Sequence, residues 1–70
     1  MANTNRKILR RKMVENKTGL ARSTLYFLIQ KNRFPEPIHL GPRAVGWIEE
    51  EIDDWIAKRV ADRDERRIEV

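Results

Sequence analysis

The 70-residue sequence contains no cysteine, one histidine, three glycines and three prolines. Without cysteine the chain has neither disulfides nor thiolate metal ligands, so packing must hold its fold together. It has no glycine-rich phosphate loop, and no serine or threonine stands at a plausible triad position from a histidine or lysine base. These absences predict a protein that is not an enzyme and that carries no cofactor and no metal.

Long apolar runs are also missing. No segment approaches the roughly 18 apolar residues of a membrane span, and the basic N-terminus, MANTNRKILRRK, lacks the apolar stretch of a signal peptide. We therefore expect a soluble, cytoplasmic protein without a membrane partner. Seventy residues allow one small domain with little stability to spare; we place it at residues 7–62, between a disordered tail (1–6) and a charged helix end or tail (63–70).

Acidic residues are scarce in the first two-thirds of the chain. Residues 1–46 contain ten basic residues against Glu15 and Glu36, a net charge of +8, whereas residues 47–70 contain five basic and nine acidic residues, a net charge of −4. A basic face is typical of nucleic-acid binders. Basic composition alone is a weak signal, so an ordinary solvated surface remains the alternative.

The first third predicts two short helices joined by a tight turn. Residues 7–10 are predicted to form a short strand with Ile8 buried and Leu9 as a second candidate, and residues 11–17 a helix with Met13 and Val14 inward. Gly19 can adopt the left-handed conformation that ends a helix, and a second helix follows over residues 22–31. This order is typical of a helix-turn-helix.

The second predicted helix has two different faces. One face is an apolar stripe with helical spacing, and the opposite side carries polar, aromatic and basic residues. The stripe consists of Leu25, Leu28 and Ile29, and the outer side of Ser23, Phe27 and Gln30, flanked by Thr24, Tyr26 and Lys31. Exposed aromatics need no functional explanation by themselves, but here they lie on a basic helix.

Two Xaa-Pro steps, RFPEP, must end the second helix near Asn32 or Arg33, because the residue before proline avoids helical backbone. Residues 38–40 and 45–47 alternate as strands around a predicted turn over residues 41–44. We therefore expect a β-hairpin, or wing, whose Ile38, Leu40, Val45 and Trp47 help to cover the helices and whose tip presents Arg43. An ion pair between Arg43 and Glu49 or Glu50 is the structural alternative.

A third helix is predicted from Glu49 to beyond Arg59, with three glutamates in its first turn, where the helix dipole favours negative charge. Its apolar stripe consists of Ile48, Ile52, Trp55, Ile56 and Val60. Asp54 with Lys58, and Asp62 with Arg66, have the spacing of surface ion pairs. Trp47 and Trp55 are interpreted as core residues.

Three segments resemble the AlpA family of phage-type regulators: TGLARSTLY (18–26), RFPEPIHLG (33–41) and RAVGW (43–47) with Trp55 downstream. The resemblance covers residues 8–59. It implies a mainly α fold with a small β-hairpin, a winged helix-turn-helix similar to those of excisionases and MerR-type regulators. It also implies a double-stranded-DNA-binding regulator of a prophage or genomic island, which activates an integrase gene or directs recombination toward excision.

Three positions depart from the family pattern. Ala21 stands where the family usually has serine, so the second helix loses a side-chain cap worth about 1 kcal/mol. Phe27 stands where a basic residue is common, so base readout cannot be carried over to it. Pro42 replaces a frequent glycine and should stiffen the tip of the wing.

The resemblance implies that the second helix lies in the major groove. Nine residues are predicted to contact DNA: Arg22, Ser23, Thr24, Tyr26, Phe27, Gln30, Lys31, Arg33 and Arg43. Gln30 suits adenine, Phe27 only an apolar contact such as a thymine methyl, and the cations suit phosphates.

Two further expectations concern partners. One alternative function is a small adaptor or inhibitor whose basic face binds an acidic protein such as an integrase or recombinase.

On DNA, one recognition helix reads too few base pairs to locate a site in a genome. We therefore expect a monomer in solution that assembles cooperatively, head to tail, with Glu50, Asp53 or Asp54 of one protomer near the basic surface of the next.

Overall fold

The structure, a computed structural model, describes residues 6–67 and, of Arg67, the backbone only. Most of the tail predicted over residues 1–6, and residues 68–70 of the segment predicted over 63–70, lie outside the described residues. Six elements follow one another: β1 (Ile8–Leu9), α1 (Arg11–Thr18), α2 (Arg22–Gln30), β2 (Ile38–Gly41), β3 (Ala44–Ile48) and α3 (Glu49–Arg67). This is the mainly α winged helix-turn-helix that the sequence predicts. Within residues 6–67, none of the three helices combines the length and the apolar composition of a membrane span.

The turn between α1 and α2 is held by its own hydrogen bonds. Gly19 has the left-handed φ of 77°, and its N–H donates to the Glu15 carbonyl at 2.7 Å. The Thr18 hydroxyl donates to the Val14 carbonyl at 2.8 Å and accepts from the Leu20 N–H at 3.2 Å. Ala21 makes no side-chain cap, as the loss of serine predicts.

The end of α2 is a Schellman motif. Arg33 N–H donates to the Leu28 carbonyl at 2.8 Å, and Asn32 N–H donates to the Ile29 carbonyl at 3.0 Å. Asn32 has a left-handed φ of 59°, which asparagine tolerates better than most residues. The helix therefore ends one residue earlier than predicted, at Gln30, and Lys31 caps it.

The wing is part of a three-stranded antiparallel sheet with the order β1-β3-β2. β1 pairs with β3 in the register Ile8 with Ile48 and Leu9 with Trp47, a partner that the sequence did not reveal. Leu9, at 1% exposure, is the buried residue of β1, while Ile8 is only half-buried. The hairpin turn is tighter than predicted, because both flanking residues extend the strands and only Pro42 and Arg43 remain outside them.

Six buried side chains form the core: Leu9, Val14, Leu25, Phe34, Trp47 and Ile52. Trp47 is fully buried, as predicted, and its indole Nε1–H donates to the Pro35 carbonyl at 2.9 Å. Trp55 lies half-buried at the edge of the core, where its Nε1–H donates to the Arg33 carbonyl. Phe34, which the sequence did not single out, packs edge-on against Trp55 with ring centroids 4.9 Å apart.

Four apolar residues predicted to face inward are exposed instead. α1 has only two turns, and Val14 fills its inner position, so Met13, about 100° around the axis, faces solvent. Val60 lies on the part of α3 that extends beyond the body, where residues 57–66 are all exposed. Ile38 and Leu40 of β2 are 39% and 45% exposed, because nothing within residues 6–67 covers the outer face of the sheet at β2.

The surface ion pairs of α3 also differ from those predicted. Within residues 6–67, neither Asp54–Lys58 nor Asp62–Arg66 forms; Arg59 pairs with Asp62, and Arg63 pairs with Asp64. All these side chains are exposed, and exposed pairs are worth so little that spacing alone does not select among them.

Gly46 of β3 is required by close packing on the outer face of the sheet. A Cβ at this position would lie 2.5 Å from Cγ2 of Ile8, 3.0 Å from Cδ1 of Leu40 and 3.1 Å from the backbone oxygen of Leu9. We expect Gly46→Ala to destabilise the domain by about 1–3 kcal/mol, because overpacking forces β1 away from β3. Gly41→Ala is the matched control in a denaturant titration, since no atom lies within 4 Å of its Cβ. Equal losses in both variants would contradict this packing argument.

Candidate nucleic-acid interface

The outer side of α2 is solvent-exposed along its whole length. Each of the nine residues predicted to contact DNA is exposed: Arg22, Ser23, Thr24, Tyr26, Phe27, Gln30, Lys31, Arg33 and Arg43. Leu25, on the opposite side of the helix, is completely buried. The helix is thus anchored through its apolar stripe and leaves its polar side available, while the contact of each residue with DNA stays a prediction.

Two cations of this surface lie against aromatic rings. The Arg22 guanidinium is 5.9 Å from the centroid of the Tyr26 ring, and the Lys31 ammonium is 5.5 Å from the centroid of the Phe27 ring. Both pairs have i, i+4 spacing, which places side chains one above the other on a helix. Cation–π attraction therefore restrains both cations next to the exposed aromatics, which gives Tyr26 and Phe27 a role besides contact with a partner.

Arg43 lies in the turn at the tip of the wing and is exposed. The alternative interpretation, an ion pair with Glu49 or Glu50, is wrong. Arg43 makes no ion pair in the part of the chain that the structure describes, and Glu49 instead accepts from Lys17 at 3.0 Å. The guanidinium of Arg43 is therefore free to meet a partner.

A depression of about 460 Å³ brings the wing, α1 and α2 together. We call it the basic cleft; it is lined by Arg10, Arg11, Lys12, Tyr26, Arg43 and Val45. Four of these six side chains are cations, and one, Tyr26, adds a phenolic hydroxyl. Such a concave arrangement of donors suits an anion such as a phosphate group.

The cations of the basic cleft are not equivalent. Arg11 forms an ion pair with Glu15 along α1, and Arg10 Nε donates to the Val45 carbonyl at 3.1 Å, which ties the start of α1 to the wing. Lys12 and Arg43 make no ion pair among the described residues. The available charge of the cleft therefore comes mainly from Lys12, Arg43 and the remaining guanidinium nitrogens of Arg10.

Arg10 and Lys12 are the functional candidates that sequence reasoning missed. Their signal was the basic run RKILRRK (6–12), which ends inside the first turn of α1 and which sequence reasoning counted only as charge. Lys31 and Arg33, by contrast, follow the end of α2 and do not line the basic cleft. Of the nine predicted contact residues, Tyr26 and Arg43 line the basic cleft, whereas the other seven, five on α2 and Lys31 and Arg33 after it, do not.

Lys17 is one of the ten basic residues among residues 1–46, but its charge is not available to a partner. Its ammonium lies 2.9 Å from Asp53 and 3.0 Å from Glu49 of α3. The hydrogen bonds that Lys17 donates to these two carboxylates, that to Asp53 first, raise its pKa above the ordinary value. Lys17 thus joins α1 to α3 and is neutralised there. With Arg11 also paired, eight of the ten cations among residues 1–46 remain without an ion pair in the described region.

Comparison with known proteins places this geometry in context. The family described as prophage CP4-57 regulatory protein (AlpA) matches residues 7–60. The chain is 42% identical over 60 residues to an uncharacterized protein, ORF88, of Enterobacteria phage P4. The matched segment covers 86% of this chain and 68% of the relative. It is also 42% identical over 59 residues to the DNA-binding transcriptional activator AlpA of Escherichia coli (strain K12). This match covers 76% of this chain and 84% of the relative.

Proposed function

The chain belongs to the AlpA family, and from this membership and the geometry of its basic face we propose that it is a sequence-specific, double-stranded-DNA-binding transcriptional regulator. The observation that carries the proposal is the basic cleft, in which α1, α2 and the wing contribute cations and a hydroxyl to one concave surface. A relative that carries the name of a DNA-binding transcriptional activator supports the same conclusion.

Each part of the basic face has a distinct task in this proposal. α2 lies in the major groove, where Ser23, Thr24 and Gln30 reach base edges or phosphates. Lys12 and Arg43 bind phosphates at the cleft that Tyr26 also lines, and the Arg43 position at the tip of a wing also suits a narrow minor groove. Lys31 and Arg33 hold the backbone at the far end of the helix.

The regulated process belongs to a prophage or genomic island. We propose that the protein activates an integrase gene, directs the recombinase toward excision, or does both; in the second role the recombinase is an additional protein partner. A nuclease footprint across the neighbouring integrase gene and its attachment site separates these roles, because protection of a promoter indicates activation and protection of the attachment site indicates excision.

Salt dependence tests DNA binding directly. If the protein neutralises about four phosphates, log affinity should fall with log salt concentration with a slope of roughly −3.6. Between 50 and 200 mM salt this slope corresponds to a loss of about 150-fold in affinity. Fluorescence anisotropy with a short random duplex measures this slope without knowledge of the operator.

An affinity for duplex DNA that stays flat as salt rises would overturn the proposal. It would favour the alternative function, an adaptor or inhibitor that docks on an acidic protein. The cations and tyrosine hydroxyl of the basic cleft suit phosphates, and the exposed side of α2 suits a groove. Their combination on one surface supports duplex DNA over that alternative.

Gln30 and Lys31 are adjacent residues whose substitutions should have different effects. Gln30→Ala should weaken binding to the specific site by roughly 1–3 kcal/mol and leave binding to random duplex nearly unaffected. The reason is that an amide side chain can hydrogen-bond to adenine but carries no charge that attracts phosphates. Lys31→Ala should weaken both by similar factors and make the salt slope about one unit shallower. The comparison requires titrations of the footprinted site and of a scrambled duplex. Equal losses on both duplexes for Gln30→Ala would remove it from base readout.

A further inference from the structure

Arg10 lies between the end of β1 and the start of α1, and its backbone is held from both sides. It is extended, with φ −83° and ψ 166°, and its carbonyl accepts from the Met13 N–H at 3.0 Å and from the Val14 N–H at 3.1 Å. Leu9 before it and Val14 after it are buried in the core. The side chain of Arg10 therefore extends from a fixed point of the domain.

The backbone edge of β3 that faces β1 can be followed residue by residue. At the end of β3, the Glu49 N–H donates to the Lys7 carbonyl at 2.8 Å. Because alternate residues of a strand turn their backbone groups toward the same neighbour, Trp47 and Val45 face the same side as Glu49. Trp47 has Leu9 of β1 as its partner. The next position along this edge, toward the tip of the wing, is Val45.

The ladder between β1 and β3 ends before it reaches Val45. The register that joins Leu9 to Trp47 would place Arg11 opposite Val45, but Arg11 is the first residue of α1. The Arg10 side chain supplies the donor instead, since its Nε–H donates to the Val45 carbonyl at 3.1 Å. A side chain thus extends the ladder by one step beyond the last residue of β1.

The wing has little other support at this level. Among the described residues, Val45 is the one nearest the tip that packs against the core. On its other side the pairing with β2 is irregular, because the register shifts between His39 and Gly41, and such a bulge bends a strand. Ile38 and Leu40 of β2 are exposed. The position of the tip therefore depends on how β3 is held at Val45.

We propose that Arg10 is a positioning residue for DNA binding, which sets where the wing presents Arg43 relative to α2. The inference rests on the proposed function, in which Arg43 binds DNA from the wing while α2 lies in the major groove. Arg43 is only two residues from Val45, and both line the basic cleft with Tyr26 of α2. By holding the Val45 carbonyl, Arg10 joins the wing and the helices into one DNA-binding unit.

A purely electrostatic role is the alternative, because Arg10 also adds a cation to the basic cleft. The bond to Val45 uses one of the five N–H donors of a guanidinium, so the others remain for a phosphate. In that role, Arg10 and Arg43 would contribute to DNA affinity independently. If Arg10 positions the wing, the contribution of Arg43 requires the hydrogen bond to Val45 and does not require the charge of Arg10.

Glutamine and methionine at position 10 separate the hydrogen bond from the charge. The amide nitrogen of glutamine is bonded to Cδ, as Nε of arginine is, so Arg10→Gln keeps a donor at the same position. Arg10→Met has a side chain of similar length without a donor. Both variants remove one cation, so a difference between them reports the bond to the Val45 carbonyl. Because Arg10 is exposed, both should melt within about two degrees of the wild type.

The experiment is a set of double-mutant cycles, measured by anisotropy with a short random duplex. In the wild type and in Arg10→Gln, Arg43→Ala should lower affinity about eightfold at about 0.1 M salt, the loss of one phosphate contact. In Arg10→Met the same substitution should lower affinity less than about twofold, because the wing no longer holds Arg43 at the DNA. Arg10→Met alone should bind about eightfold more weakly than Arg10→Gln.

Lys31→Ala is the matched control for these cycles. Lys31 caps α2 and does not line the basic cleft, so its removal should lower affinity by the same factor in Arg10→Gln and in Arg10→Met. A general loss of structure in Arg10→Met would reduce the contributions of Lys31 and Arg43 alike, and this outcome would overturn the positioning role.

The free protein provides a second readout that needs no DNA. In NMR relaxation, the Arg43 amide should have an order parameter near that of rigid backbone, about 0.85, in the wild type and in Arg10→Gln. In Arg10→Met it should fall below about 0.6, the range of flexible backbone.

Three results would each leave Arg10 with an electrostatic role alone. These are equal affinities of Arg10→Gln and Arg10→Met, an equal cost of Arg43→Ala in both backgrounds, and an Arg43 amide that is equally rigid in both. Wild-type protein whose affinity for duplex DNA stays flat as salt rises would instead overturn the proposed function. The order parameters would still test the bond between Arg10 and Val45, so the two failures are distinguishable.

Discussion

Replacing Trp47 with alanine is expected to remove between about a third and all of the protein's free energy of unfolding. The indole is completely buried at the centre of the core, and its N–H donates to the Pro35 carbonyl. Truncation of such a residue costs about 3–5 kcal/mol, whereas a domain of this length has about 4–10 kcal/mol in total. Circular dichroism during thermal melting should show a lost or strongly lowered transition.

Phe27→Ala is the matched control for this substitution. It removes another aromatic ring, but one that is 55% exposed on α2, so stability should change by only about 0.5 kcal/mol. If Trp47→Ala and Phe27→Ala melted within a few degrees of each other, the core described above would be wrong.

Replacing Lys12 and Arg43 together by alanine is expected to lower affinity for duplex DNA about 60-fold at 0.1 M salt. Each of the two cations lines the basic cleft, and loss of two phosphate contacts should make the salt slope shallower by about 1.8. Both side chains are exposed, so the melting temperature should change by no more than a degree or two. Anisotropy titrations at four salt concentrations measure both effects.

Lys58→Ala with Arg66→Ala removes the same net charge from α3 and serves as the control. These cations do not line the basic cleft, so they should change the salt slope little. If both double variants shifted the slope equally, binding would depend on net charge alone and the basic cleft would have no special role. A lowered melting temperature for the Lys12 and Arg43 variant, with affinity unchanged, would indicate a structural role for these residues.

The elements of this fold were predictable because their signals are local. Gly19 ends α1, Pro35 and Pro37 prevent α2 from continuing, and the three glutamates after Ile48 begin α3; each acts through its own backbone or its nearest neighbours. The pairing of β1 with β3 was not predictable in the same way. It joins Ile8 to Ile48 across forty positions, and no pattern within either strand specifies the partner.

The candidate site was predictable residue by residue but not as a surface. Helical spacing alone places Gln30 and Phe27 on the side opposite Leu25, and the structure leaves both exposed. The basic cleft required more, because Lys12, Tyr26 and Arg43 come from three separate elements. Charge counting could not separate Lys12 from Lys17 either, since only the packing of α1 against α3 shows that Lys17 is paired.

The sequence by itself determined the helix and strand content, the basic first two-thirds and acidic last third of the chain, and its family. These properties depend on composition, spacing and short motifs, which act over a few residues. The tertiary structure alone decided which apolar residues are buried and which cations remain available. Those outcomes depend on which elements pack against each other. A side chain such as Ile38 or Met13 is buried only if another element packs over it, and both are exposed here.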